Sequence, residues 1–176
     1  MGKPRPLCLA LSLSVAIALA SGAPSAAEGA RAELKRADGS EVGIATFTET
    51  PSGLIAKFEL KGLPPGPHGV HVHEVGKCEG DFASAGGIYN PLGAKHGFYN
   101  EEGPMAGDLA NVYVGQDGTA TAEFLSPFLT LNKETEDKLF DADGASLILF
   151  EKSDDYLSEP EGGAGQRLAC GVIKSD

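Results

Sequence analysis

Apolar and polar residues alternate in short runs along most of the chain after residue 28. The first three runs are separated by segments rich in Gly, Pro, Asp and Ser, and they read RAELKRA, GIATFTET and LIAKFEL. Alternation with a period of two predicts half-buried β-strands, and such separating segments are typical of hairpin turns. This part of the chain therefore predicts a series of short strands joined by tight turns.

Further runs extend this pattern to the end of the chain: VHVHEV, LANVYVG, TATAEFL, ASLILFE and RLACGVI. The run ASLILFE is apolar at successive positions, which predicts a strand buried on both faces. An apolar period of 3.6 residues, the signature of an amphipathic helix, does not persist along the chain. About eight short strands with turn signals between them predict an all-β domain, either a sandwich or a barrel.

Two long segments interrupt the strands, Gly76–Asp108 and Lys152–Gln166. Long irregular loops inside a small domain are usually functional, so we expect these two to carry the site. The chain shows no internal repeat and no linker. Residues 28–176 are therefore expected to form a single domain.

The first 27 residues have the pattern of a secretory signal peptide. A segment with Lys3 and Arg5 precedes the apolar run LCLALSLSVAIALA, and the small residues SAA follow. This pattern predicts cleavage after Ala27, with Ala20 as the second choice, and a mature protein that is periplasmic or secreted. The run is too short for a membrane span, so no membrane anchor is expected after cleavage.

The charge balance is strongly acidic. The chain has a formal net charge of -11, and removal of Lys3 and Arg5 with the signal peptide changes this to -13. Such a charge excludes binding of nucleic acid or an anionic membrane through the overall field of the protein. An anionic substrate would also be repelled unless a local positive patch attracts it.

Two cysteines remain after signal cleavage, Cys78 and Cys170. An even pair of cysteines in an oxidising compartment favours a disulfide, and a pair of buried free thiols is the alternative. A crosslink over this separation would stabilise the fold by roughly 4–5 kcal/mol in the chain-entropy model.

His71 and His73 are the first candidates for chemistry. They lie two positions apart in a predicted strand, so both side chains point to the same face of the sheet. Two imidazoles on one face form half of a metal site. The rest of that site has to come from elsewhere in the chain.

Several motifs together resemble the copper/zinc superoxide dismutases, in particular the bacterial exported type. They occur in that family's order and spacing: GPHGVHVHE, DFASAGGIYNPLGAKHG, MAGDLANV, DGTA, DADGASLIL and GGAGQRLACGVI. The resemblance extends from Gly43 to Ile173. It implies an eight-stranded Greek-key β-barrel with two long loops, a Cys78–Cys170 disulfide and a metal site on one outer face.

On the copper side, the resemblance implies four histidine ligands, of which this chain retains two. His71 and His73 match the first two positions. The histidine that bridges copper and zinc is replaced by Ile88, and the fourth is replaced by Phe150. Both replacements are bulky and apolar.

On the zinc side, the resemblance implies the bridging histidine, two further histidines and an aspartate. His96 and Asp108 match two of these positions, and Met105 replaces a third. Since Ile88 occupies the bridging position, two of four zinc ligands are lost. Met105 remains a candidate thioether ligand for copper(I) if its loop reaches across the site.

Residues around the metal positions are better retained. Asp154 matches the aspartate that hydrogen-bonds a copper histidine and a zinc histidine, here His71 and His96. Arg167 matches the arginine that guides superoxide, and His68 matches a histidine that packs under the site. The loop before Arg167 is mostly acidic, which weakens the expected steering of an anion.

These losses leave three hypotheses open. The protein is a metal-free binding or structural module, a metal-handling protein that takes copper at His71 and His73, or a superoxide dismutase with a rewired site. Loss of two copper ligands removes the geometry on which redox cycling depends, so the first two are preferred. Zinc is not expected as a cofactor, superoxide or a metal ion is the expected small partner, and the sequence identifies no protein partner.

Overall fold

The chain forms ten β-strands and one short 3-10 turn in a computed structural model, which describes residues 1–2, 29–132, 135 and 138–176. The expected signal peptide lies outside the described residues, apart from Met1 and Gly2. Among the described residues, no helix is long and apolar enough to cross a membrane. The 3-10 turn spans Ala83–Ala85, and the strands are β1 (Gly29–Lys35), β2 (Glu41–Thr50), β3 (Gly53–Leu60), β4 (Gly66–His68), β5 (Val70–His73), β6 (Val112–Val114), β7 (Ala120–Ser126), β8 (Ser146–Phe150), β9 (Arg167–Val172) and β10 (Lys174–Ser175).

All eight alternating runs of the sequence contain a strand, which confirms the predicted all-β class. The sequence pattern missed β4 and β10. Strand β4 has only three residues and contains Pro67, and β10 has only two residues. Segments this short carry no measurable period, so only their pairing with neighbouring strands reveals them.

The strands form one large curled antiparallel sheet and one small one. The large sheet has the order β5-β8-β9-β1-β2-β3-β7, with β10 paired to β1, and the small sheet pairs β4 with β6. Strands that are distant in sequence, such as β5 and β8, are neighbours in the sheet. This order is typical of the Greek-key connections that the resemblance implies.

The core lies on the concave side of the large sheet, as the alternation predicts. Ala30, Ala32 and Leu34 of β1 are buried, and the residues between them are exposed. Phe47 and Phe58 on β2 and β3 are among the largest fully buried side chains. These strands are half-buried because only one face of the sheet meets the core.

Strand β8 is buried on both faces, which confirms the prediction from its apolar run. Leu147 and Leu149 belong to the main core, whereas Ile148 and Phe150 belong to a second cluster. That cluster also contains Phe82 and Ala85 from the first long loop and Ala164 from the second. The two long loops therefore cover the outer face of the sheet at β5 and β8.

The Cys78–Cys170 disulfide is present and joins the first long loop to β9 across 92 positions of sequence. It confirms the predicted pairing of the two cysteines. The disulfide holds the loop against the sheet next to the second cluster, and Gly86 and Ile88, which contact His73, lie in the same loop.

Candidate metal centre

Strand β5 places His71 and His73 on the outer face of the sheet, under the loops. In its pairing with β8, His71 lies opposite Ile148, and both histidines are fully buried. The other edge of β5 is paired with loop residues: His71 lies opposite Asp108 and His73 opposite Ile88. Strand β5 therefore brings together several of the positions at which the resemblance implies metal ligands.

Gly107 allows the loop to approach β5 this closely. Its N–H donates to the carbonyl of Tyr89, and its carbonyl accepts from the N–H of Val72. A Cβ at this position would overlap the carbonyl oxygen of Val72 and contact Ile88 at 2.9 Å. Only glycine fits between the loop and the strand.

One nitrogen of His71 is engaged and the other is free. Nε2 lies 2.8 Å from Oδ2 of Asp154, and the carboxylate can only accept, so Nε2 carries the proton. Nδ1 is buried and has no hydrogen-bond partner among the described residues. In the neutral imidazole, Nδ1 therefore presents an unshared lone pair inside the protein.

His73 also has one ring nitrogen that is hydrogen-bonded and one that is not, but the two nitrogens are exchanged relative to His71. Nδ1 donates to the carbonyl oxygen of Gly86 at 3.0 Å, and Nε2 is buried without a partner in the described part of the chain. Burial, followed by the positive charge of Arg167, lowers the pKa of His73 to about 3. The imidazole is therefore neutral at ordinary pH, with a second unshared lone pair on Nε2.

Ile88 and Phe150, which occupy the other two copper positions implied by the resemblance, form apolar walls beside these histidines. The ring of Phe150 is fully buried, with its centroid 5.0 Å from that of His71 and 6.0 Å from that of His73. Ile88 is 6% exposed and lies opposite His73. The two histidine ring centroids are 6.3 Å apart. No donor replaces the missing imidazoles at these two positions.

On the zinc side, His96 lies between two carboxylates. Its Nδ1 is 2.8 Å from Oδ1 of Asp108, and its Nε2 is 3.1 Å from Oδ1 of Asp154. Burial opposes the charged form, but the hydrogen bonds to both carboxylates outweigh it and raise the pKa of His96 to about 10. His96 is therefore an imidazolium that donates from both nitrogens.

The loop around Asp108 supplies hydrogen-bond donors to its carboxylate. Its Oδ2 accepts from the backbone N–H of Gly97 and from that of Met105, at 2.8 and 2.9 Å. Ligand atoms of His71, His96 and Asp108 lie within 4.8 Å of one another, so these three residues could hold a metal ion. Such an ion would have to displace the proton between His96 and Asp108.

Asp154 connects the two halves of the site through its hydrogen bonds to His71 and His96, as the resemblance implied. Burial alone would raise the pKa of Asp154, but those hydrogen bonds hold it well below its ordinary value. Asn111 holds the backbone of Asp154 through two hydrogen bonds, and the N–H of Tyr156 donates to Oδ1. Sequence reasoning missed Asn111 and Tyr156, because an isolated polar residue carries no local signal of its partner.

Arg167 is held in place by three acceptors. It donates to the carbonyl oxygens of Phe82 and Gly86 at 2.7 and 2.8 Å and to a carboxylate oxygen of Glu161 at 2.6 Å. Its side chain is only 16% exposed. Sequence reasoning noted the acidic loop but missed this ion pair. Guidance of an anion by Arg167 stays a prediction, and Glu161 opposes it.

His68 is placed for a structural role. Its Nδ1 lies 2.8 Å from the carbonyl oxygen of Phe150, and its Nε2 lies 2.8 Å from that of Pro64. Both ring nitrogens are thus engaged by the backbone. His68 joins β4 to the end of β8, beneath the side of the site that Phe150 occupies.

Comparison with known proteins agrees with this architecture. A family model described as copper/zinc superoxide dismutase (SODC) matches residues 41–173. The chain is 45% identical over 147 residues to Cu-Zn superoxide dismutase 2 of Aquifex aeolicus, covering 82% of this chain and 86% of that protein. It is 38% identical over 152 residues to the superoxide dismutase-like protein YojM of Bacillus subtilis, covering 85% of this chain and 78% of that one. The crystal structure of a SOD-like protein from Bacillus subtilis superposes with a TM-score of 0.79 at 38% identity, covering 83% of this chain and 99% of that chain. The chain therefore belongs to the copper/zinc superoxide dismutase family.

Proposed function

We propose that the mature protein, residues 28–176, is exported and binds copper(I) through Nδ1 of His71 and Nε2 of His73. The observation that supports this is the pair of buried imidazole nitrogens without a hydrogen-bond partner in the described part of the chain. A buried polar atom left unsatisfied costs about 1–3 kcal/mol, and a bound metal ion would remove that cost at both nitrogens. The other nitrogen of each ring is hydrogen-bonded, which orients the free lone pairs.

The donor set fits copper(I) better than copper(II). Copper(II) prefers a near-square set of nitrogen or oxygen donors, and Ile88 and Phe150 replace two of the four imidazoles of the family. Copper(I) accepts two or three donors and tolerates an apolar surrounding such as the ring of Phe150. Met105 is the candidate third donor, since its backbone already joins the site through Asp108.

Zinc is disfavoured at the trio of His71, His96 and Asp108. The nitrogens of His96 carry protons that two carboxylates hold, and these hydrogen bonds raise the pKa of His96 despite its burial. A metal has to compete with these protons, because only deprotonated imidazole is a ligand. At Nδ1 of His71 and Nε2 of His73, the copper-side pair, a metal ion does not compete with a proton.

Efficient dismutation of superoxide is not the function that this geometry favours. Copper, when bound, would supply one-electron redox chemistry, but turnover requires a site that accommodates both oxidation states. The Glu161 carboxylate compensates the charge of Arg167, and the protein as a whole repels anions. A dismutase with a rewired site remains the alternative, which the activity of related enzymes suggests.

The test is copper binding by the exported, disulfide-bonded protein and two matched variants. His73→Ala removes a ligand of the copper-side pair only, and Asp108→Asn alters the trio only, whereas His71 belongs to both. We expect one copper(I) per chain in the wild type and in Asp108→Asn, and loss of that copper in His73→Ala. Elemental analysis after loading under reducing conditions and dialysis provides the measurement.

The other outcomes contradict the proposal in distinct ways. Loss of metal in Asp108→Asn but not in His73→Ala would place the site at the trio. No bound metal in the wild type would leave a metal-free binding module. Superoxide dismutation by the copper-loaded wild type, abolished by His73→Ala, would establish the rewired dismutase instead.

A further inference from the structure

A second candidate site lies away from the histidines, on the outer surface of β1. A cavity of about 620 Å³ is bounded by β1, β9, β10 and the loop after Cys78. Its lining contains neither the histidines nor the carboxylates of the metal centre. Its volume falls in the range of small-molecule sites, roughly 300–1,000 Å³.

The lining of this cavity is basic, in contrast to the rest of the chain. It contains four cationic side chains, Arg31, Lys35, Arg36 and Lys174, and one acidic side chain, Glu33. The whole chain has 25 acidic and 14 basic residues. Four of those 14 basic residues are thus gathered around one cavity, which makes it a local positive patch on an acidic protein.

Two of these cations lie side by side on neighbouring strands. Arg31 of β1 and Lys174 of β10 are directly paired in register. Like charges directly opposite each other destabilise a sheet. Asp176 compensates Arg31 at 3.2 Å, but the two side chains are 56% and 53% exposed, and such surface pairs contribute little. Lys174 forms no ion pair among the residues that the structure describes. Asp176 offsets part of this repulsion, and a bound anion would offset the charge of Lys174.

The walls of the cavity are fixed before any ligand arrives. Lys35 lies opposite Cys170 in the pairing of β1 with β9, and the disulfide holds Cys78 beside it. Phe82, from the same loop, is buried and also lines the cavity. A preformed wall lowers the entropy cost of binding.

We propose that this cavity binds a small dianion that carries phosphate or carboxylate groups. The forked guanidinium of Arg31 suits bidentate contact with either group, and Lys174 adds a point charge beside it. Lys35 adds a further charge, which Glu33 partly compensates at 3.9 Å. The site is independent of the copper proposal, because no residue is shared. The dianion also resolves the unfavourable pairing of Arg31 with Lys174.

The proposal is tested by two-dimensional NMR of the mature, disulfide-bonded chain during titration with inorganic phosphate and, separately, with succinate. Sodium chloride at equal ionic strength is the control titration. We expect saturable shifts of the backbone amides of Arg31, Cys170 and Lys174 with at least one dianion. Saturation with phosphate alone or succinate alone identifies the group that the cavity recognises.

A matched pair of variants makes the test specific. Lys174→Gln should weaken the affinity about fivefold, and the double variant with Arg31→Gln should abolish saturation. Lys57→Gln removes the same charge from an exposed position on β3 and should leave the affinity unchanged. Equal shifts with chloride, no saturation with either dianion, unchanged affinity in Lys174→Gln, or shifts centred on His71 and His73 would each overturn the proposal.

Discussion

Single atoms decide the chemistry of the metal centre. His73 is retained from the family pattern, but its availability as a ligand depends on which nitrogen donates to the carbonyl of Gly86. That hydrogen bond places the proton on Nδ1 and leaves Nε2 free. The same carbonyl accepts from Arg167, so one backbone oxygen orients a candidate ligand and a candidate anion guide together.

His73 makes the stability of the metal-free protein depend on pH. Its pKa is lowered from 6.5 to about 3, so the unfolded chain binds a proton in this interval that the folded protein does not. The free energy of unfolding should therefore fall as the pH is lowered below about 6.5, by at most about 1.4 kcal/mol per pH unit from this group. The raised pKa of His96 affects the free energy of unfolding at higher pH. The stabilisation from His96 is fully present below pH 6.5 and is lost as the pH rises towards about 10.

Urea unfolding of metal-free protein at about pH 6.5 and about pH 5 measures this effect. We expect His73→Leu to reduce the loss of stability over that interval by about 1.5 kcal/mol relative to the wild type. The pKa of Asp154 is lowered from 3.8, so Asp154 changes the free energy of unfolding only at a pH below this interval. An identical pH slope in both proteins would show that His73 is not held neutral by the fold.

At the scale of elements, the site exists because the two long loops cover β5 and β8. Strand β8 is buried on both faces only because Phe82, Ala85 and Ala164 lie over its outer side. The first of these loops is anchored by the Cys78–Cys170 disulfide. The carbonyl of Gly86, which orients His73, belongs to that anchored loop.

Removal of the disulfide should therefore affect both stability and the metal centre. We expect the double variant Cys78→Ala and Cys170→Ala to lose about 4 kcal/mol of unfolding free energy, because the crosslink spans 92 positions. Copper(I) affinity should fall as well, since His73 loses its fixed orientation. Urea unfolding and copper competition with a calibrated chelator provide the two measurements.

The double variant Cys78→Ser and Cys170→Ser is the matched control, and it should behave like the alanine variant in both measurements. Reduced wild-type protein is not used, because its free thiols would themselves bind copper(I). Loss of stability without any change in copper affinity would contradict the link between the loop and His73. It would show that the fold of the sheet alone orients that imidazole.

At the scale of the whole molecule, the charge is unevenly distributed. The chain is acidic overall, yet four cations surround one cavity, where Arg31 and Lys35 have exposed carboxylate partners and Lys174 has none among the described residues. Arg167 near the metal centre is compensated by Glu161. We therefore expect an approaching anion to be attracted more strongly by Lys174 and its neighbours on the outer surface of β1 than by Arg167. This distribution differs from that expected of an enzyme that draws superoxide to a metal.

The domain boundary is also a property of the whole molecule. Strand β1 begins at Gly29, two positions after the expected cleavage site at Ala27. We expect exported protein to start at Glu28, and residues 28–176 expressed alone to unfold cooperatively with the same stability as the exported protein. Intact-mass measurement and thermal unfolding test this. A mature protein that starts at Ser21 would support the second cleavage choice, whereas retention of all residues would refute the signal peptide.

The sequence by itself determined eight of the ten strands and the fold class, and it predicted which ligand positions differ from the family pattern. Alternation has a direct physical origin in the two faces of a strand, so eight runs could be assigned from local pattern. Ile88, Phe150 and Met105 could be recognised because the motifs around them are intact. An even pair of cysteines after an expected signal peptide favoured the disulfide that the structure contains.

Only the tertiary structure decided which atoms are free. The unsatisfied nitrogens of His71 and His73, the ion pair of Glu161 with Arg167 and the facing charges of Arg31 and Lys174 were not visible in the sequence. Each depends on the side-chain geometry or strand pairing that the folded chain adopts. Local pattern contains no information on these contacts, because hydrogen bonds and ion pairs are set by distances that folding alone establishes.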